Sequence, residues 1–89
     1  MPYHVDWVDK ALADLAELWT EADSTERLVI NAAAQEIDAR LGADPLGQGE
    51  SRSKGRRLMF VGPLAVMFEI DFSQNLVSVL QLKRSQRRK

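Results

Sequence analysis

The 89-residue chain is long enough for one modest hydrophobic core and little else, so a single domain over residues 1–89 is expected. With 45% hydrophobic and 28% charged residues it is composed as a globular protein, and with no cysteine it excludes a disulfide scaffold, a zinc–thiolate site and a cysteine nucleophile. The net charge of −1 conceals a partition: residues 1–50 hold eleven acidic and three basic side chains, residues 51–89 two acidic and nine basic. Such asymmetry suggests a polyanion-facing second half, or two halves that neutralise each other.

In chain order, residues 3–8 (Tyr-His-Val-Asp-Trp-Val) read as a short strand with Tyr3, Val5 and Trp7 on one face and His4 opposite. Asp6 or Asp9 is placed to cap a first helix, whose apolar stripe is Val8, Ala11, Leu12, Leu15, Leu18, Trp19 and Ala22. The same aspartates, with Asp14, interrupt any leader-like apolar run, and no run is long enough to span a bilayer. Together with the missing cysteines this makes the cytoplasm the expected location. Asp23 with Glu26 three residues later fits a capping box that restarts a second helix, with Ser24 the competing cap. Its stripe is Ile30, Ala33, Ala34, Ile37 and Leu41, with Gly42 expected just past its end and Pro45 forbidding continuation.

Residues 42–55 contain four of the five glycines and read as a loop, where Arg52 and Lys54 begin the basic part of the chain. Three strands are expected next: 56–61, ended by Gly62-Pro63; 64–72, alternating Leu64, Val66, Phe68, Ile70 and Phe72 against Ala65, Met67, Glu69 and Asp71; and 76–82 after the turn Ser73-Gln74-Asn75. They form an antiparallel meander. Residues 83–89 are a basic tail with five Lys or Arg in seven positions. The expected fold class is α+β, ordered β-α-α-β-β-β, with the helical hairpin covering one face of the sheet and the basic groups on the other. Apolar residues on both strand faces (Met59 and Met67 against Leu58 and Phe68) suggest an uncovered groove that a partner helix or strand could fill.

This order and length resemble the RelE/ParE family of bacterial toxins. The residues carrying the resemblance are Ala11-Leu12-Ala13-Asp14-Leu15 in the first helix, the step Asp44-Pro45-Leu46, the strand opening Gly55-Arg56-Arg57-Leu58-Met59-Phe60, and the last strand Val77-Ser78-Val79-Leu80-Gln81-Leu82-Lys83-Arg84. The resemblance implies a toxin of a type II toxin–antitoxin pair, neutralised by a cognate antitoxin. RelE-like members bind the ribosome and cut mRNA, the expectation taken first here; the alternatives are a ParE-like inhibitor of DNA gyrase without known nuclease activity and a degenerate, non-toxic relative that binds nucleic acid. On matching positions Arg57, Lys54, Arg52 and Arg84 correspond to the RelE-like catalytic cations, and Arg56, Lys83, Arg87 and Arg88 would bind RNA.

Cutting RNA through the ribose 2′-OH requires removing its proton, stabilising the phosphorane and protonating the leaving 5′-oxygen. Arginine and lysine serve the second task well and are poor proton shuttles at neutral pH. The sequence departs from the RelE-like pattern in having no tyrosine or histidine in residues 83–89. Phe60 and Phe68 could stack on bases, although alternating aromatics more often pack a core. No His/Asp/Glu cluster has metal-ligand spacing and no phosphate-binding glycine loop is present, so neither a metal nor a cofactor is expected.

Overall fold

A computed structural model of the chain describes residues 2–85. Strand β1 (His4–Trp7) leads into helices α1 (Asp9–Glu21) and α2 (Ser24–Ala43); strands β2 (Glu50–Ser51), β3 (Arg56–Val61), β4 (Leu64–Asp71) and β5 (Leu76–Arg84) follow. The five strands lie in the order β1-β5-β4-β3-β2. Pairing is antiparallel from β2 through β5, as the two hairpins require, and parallel between β1 and β5, where His4 sits beside Leu76 and Trp7 beside Val79. The sheet is therefore mixed, with a fifth strand inside the glycine-rich segment.

Helix α1 starts differently from the expectation. Its N-cap is Val8, which has no side-chain cap; Asp9 lies in the first turn, where a carboxylate favours the positive end of the helix dipole. Helix α2 has the full capping box: the Asp23 carboxylate accepts from the Glu26 N–H at 2.8 Å while the Glu26 side chain reaches back. Gly42 does not end α2, which runs one residue further and is capped by Asp44. The Asp44 N–H donates to the Arg40 carbonyl at 2.9 Å, and the Asp44 carboxylate accepts from the Gly47 N–H at 3.1 Å. One aspartate thus closes the helix and opens the 3-10 turn Pro45–Gly47.

Cross-strand register assigns the faces. Toward the helices lie the rows Val61/Leu64/Arg84, Met59/Val66/Leu82 and Arg57/Phe68/Val79. Away from them lie Phe60/Ala65/Lys83, Leu58/Met67/Gln81 and Arg56/Glu69/Ser78. A bulge keeps the two sets in phase: Met67 faces Gln81 and Phe68 faces Val79, leaving Leu80 as the extra residue. The core joins Ala11, Ala33, Ile37 and Leu41 of the helices to Met59, Val61, Leu64, Val66, Phe68, Val77, Val79 and Leu82 of the sheet. Phe68 is fully enclosed, and burying a side chain of this size contributes about 1.5–3 kcal/mol. Tyr3, Val5 and Trp7 pack against this core from β1, and His4 is exposed on the opposite face. The groove suggested by the sequence is sorted differently: Met59 and Phe68 are buried together, while Leu58 and Met67 pair on the open face. Phe72 lies in the turn after β4 and is largely exposed.

Candidate nucleic-acid interface

The face of the sheet away from the helices carries three short rows. Arg56 and Glu69 are cross-strand neighbours in one, Leu58 and Met67 form an apolar middle, and Phe60 and Lys83 flank Ala65 in the third. Phe60 is 38% exposed, so its ring meets both the sheet and its surroundings. This surface combines what single-stranded nucleic acid needs: cations separated by an apolar band and an accessible ring. Alternation of the aromatics suggests the core for Phe60, and the structure corrects this. The parity of Phe60 with Leu58, opposite to the buried Met59 and Val61, is the local signal that places it outside.

The expected basic face is only partly realised. Of the cations on β3 and β5, Arg56 and Lys83 project on the open side, while Arg57 and Arg84 belong to the helix-side rows. Arg84 reaches the first turn of α2 and pairs with Glu26 at 3.3 Å, with both side chains substantially exposed. Lys83 also lines a cleft of about 520 Å3 beside α1, together with Lys10, Asp14 and Glu17. Arg87 and Arg88 lie outside the described residues.

Arg57 points at the segment 46–51. Its Nε donates to the Gln48 carbonyl at 3.1 Å, Nη1 to the Ser51 hydroxyl at 3.0 Å, and Nη2 to the Leu46 and Gly49 carbonyls at 3.3 Å each. Gly49 permits the convergence, because its φ of +69° is a conformation that side-chain-bearing residues rarely adopt. A Cβ there would also collide with the Leu58 carbonyl.

The neighbouring cations sit at the β2 edge. The Arg52 N–H donates to the Arg56 carbonyl at 2.6 Å, and its guanidinium binds the Glu50 carboxylate and the Ser51 carbonyl at 3.2 Å each. Lys54 is exposed and has a left-handed backbone, φ 63°.

At the other end of the sheet, β1 stops after Trp7 and leaves the rest of β5 without a strand neighbour on that side. Asp14 fills part of the gap. Its Oδ2 accepts from the Leu82 N–H at 3.0 Å and from the Lys10 ammonium at the same distance. Burial alone would raise the Asp14 pKa, but the Leu82 N–H, the Lys10 ammonium and the charge of Lys83 together hold it below the ordinary carboxylate value. Asp71 is also lowered, chiefly by the Ser73 hydroxyl, in the exposed β4–β5 turn. Among the described residues no group of three His, Asp or Glu side chains is placed to hold a metal ion. No described helix is long and apolar enough to cross a membrane.

A helical hairpin on one face of a small sheet whose first strand joins the last in parallel is the fold of the RelE/ParE toxins. No family model and no curated protein matches the sequence. Solved structures do match. A chain of the toxin–antitoxin complex RelBE2 from Mycobacterium tuberculosis superposes with TM-score 0.75 at 19% identity, over 98% of this chain and 95% of that one. A chain of the chromosomal ParDE system of P. aeruginosa gives 0.71 at 20% identity, over 94% and 97%. The archaeal RelE–RelB complex from Pyrococcus horikoshii gives 0.67 at 14% identity, over 99% and 100%. At these identities the likeness is one of fold, shared alike with RelE and ParE structures.

Proposed function

We propose that this chain is the toxin of a type II toxin–antitoxin pair and that it acts as a ribosome-dependent mRNA endonuclease through the open face of its sheet. The observation carrying the reading is the arrangement of that face on this fold: Arg56 and Lys83 at opposite ends of an apolar band, with the partly exposed Phe60 on β3 in the same row as Lys83. In this reading Arg56 and Lys83, with Arg52 and Lys54 at the β2 edge, neutralise phosphates, and Phe60 stacks on a base. Arg84, on the helix side and paired with Glu26, is not part of this face. Glu69 on β4 lies beside Arg56, while the carboxylates that continue the open rows, Glu50 beside Leu58 and Asp6 beside Ser78, lie on the outer strands. Glu69 is assigned to take the 2′-OH proton as that oxygen attacks phosphorus; the phosphate–O5′ bond then breaks, leaving a 2′,3′-cyclic phosphate and a 5′-hydroxyl whose proton comes from water. The antitoxin is expected on the helical hairpin, where Leu12 is 50% and Leu28 71% exposed.

A second reading, ParE-like binding of DNA gyrase without catalysis, is favoured by one observation. Arg57, the cation that the resemblance puts at the centre of the chemistry, is bonded to the protein's own loop.

Inducible expression in a bacterium, with RNA 5′-end mapping, separates the two. The nuclease reading expects new 5′-hydroxyl ends inside translated frames that disappear in Arg56→Ala and Glu69→Gln. Growth arrest with no such ends refutes it in favour of a protein target. Neither arrest nor cleavage refutes both.

A further inference from the structure

We infer that Arg57 is a positioning residue: its guanidinium holds segment 46–51 in shape, and it acts on nucleic acid only through the cations Arg52 and Lys54 that this segment leads into. The RNA half of this inference rests on the reading proposed above; the structural half does not.

The hydrogen bonds set the argument. A guanidinium has five N–H donors in a fixed plane. Four are accounted for by three backbone carbonyls and one hydroxyl, all from residues 46–51. Carbonyl oxygens from Leu46, Gln48 and Gly49 converge on one positive group. A phosphate entering there would meet the negative ends of those dipoles and would have to strip the guanidinium from them. The side chain is also half-buried on the helix side of the sheet, beside Phe68, away from the face carrying Arg56 and Phe60.

The consequence passes along the chain. Arg57 fixes Ser51, which is paired with Arg57 in the β2–β3 ladder. Ser51 and Glu50 in turn receive the Arg52 guanidinium, and the Arg52 N–H is held by Arg56. Loosening the clamp therefore releases the cation at the sheet edge together with the turn that presents Lys54. A lysine cannot replace this arginine, since its donors radiate from one point and cannot span four separated acceptors.

Hydrogen exchange on wild type, Arg57→Lys and Arg57→Gln tests the clamp. The amides of Gly47, Gln48 and Arg52 are expected to exchange about tenfold faster or more in both variants, while those of Val66 and Val79 report global stability and move less. Unchanged protection of the three loop amides would overturn the inference. A double-mutant cycle tests the route to RNA, using anisotropy of a labelled single-stranded oligoribonucleotide. Arg57→Gln should weaken binding in the wild-type background and have no effect once Arg52→Ala and Lys54→Ala are present. A loss of equal size in both backgrounds would mean direct phosphate contact and would overturn it. If wild type binds no RNA, the nucleic-acid half falls with the proposed function, and the exchange result alone decides the clamp.

Discussion

Replacing Asp14 with alanine removes the acceptor that closes the uncovered side of β5. The Leu82 N–H, in a residue only 3% exposed, loses its partner at 3.0 Å. Leaving such a donor unsatisfied costs about 1–3 kcal/mol. The Lys10 pair adds little, because the lysine side chain is 63% exposed and an i,i+4 pair of this kind contributes about 0.3–0.5 kcal/mol. Asp14→Ala is therefore expected to lose about 2 kcal/mol in urea or thermal unfolding at neutral pH, a fall in Tm of roughly 8–16 °C for a domain of this size. Lys10→Ala should lose less than about 0.5 kcal/mol. The effect has a defined pH dependence. The folded-state pKa of Asp14 lies below its unfolded value, so its contribution is complete above the unfolded pKa and is lost as pH falls through the folded one. The gap between wild type and Asp14→Ala should accordingly narrow in acid. A Lys10→Ala loss as large as that of Asp14→Ala, or a gap that stays constant into acid, would refute the assignment of the energy to the Leu82 hydrogen bond.

Three further outcomes follow from the packing and the loop. Phe68→Ala empties a fully enclosed site beneath the helices and should cost about 3–5 kcal/mol in equilibrium unfolding. Gly49→Ala combines a positive φ with a clash against the Leu58 backbone; a loss of at least about 1 kcal/mol is expected by thermal unfolding, with accelerated exchange around Arg57. Phe60→Ala should leave stability within about 1 kcal/mol of wild type, since the ring is 38% exposed, yet weaken single-stranded RNA binding by about 1–3 kcal/mol in a titration.

The elements legible in the sequence are those whose signals are local. Strand β3 ends where Gly62-Pro63 turns the chain, and α2 begins where Asp23 and Glu26 close their box. The stripe of α2 reads nearly as expected, with Ile30, Ala33, Ile37 and Leu41 buried and Ala34 half-buried. The buried stripe of α1 is narrower than its apolar spacing suggests: Ala11 is enclosed, whereas Leu12 and Trp19 lie at the margin, Trp19 with Arg27 stacked 4.1 Å from its ring centroid. Features set by distant partners were not legible. The parallel joining of β1 to β5 pairs His4 with Leu76, and no local pattern encodes it. Strand β2 has two residues and exists because β3 offers an edge and Arg57 gathers the loop behind it. The candidate site shows the same division. Arg56 and Arg57 alternate, so only one can face the open side; the family motif favours Arg57, but the burial of Met59 and Val61, which share its parity, decides that it is Arg56. What Arg57 does instead depends on carbonyls up to eleven residues earlier in the chain, which strand periodicity does not register.

The position of β5 in the sheet also bears on the order in which the molecule is assembled. β5 is a central strand, flanked by β1 on one side and β4 on the other, yet it follows all the other described strands in the chain. The first strand and first helix therefore emerge during synthesis with their principal partner still unmade. A chain stopped after β4 would hold two helices and a hairpin, with β1 tied only to the helices, through bonds such as Trp7 Nε1 to Asp38, and not to the hairpin. The pairing that unites β1 with the hairpin therefore waits for β5, and long-range pairing of this kind is slow.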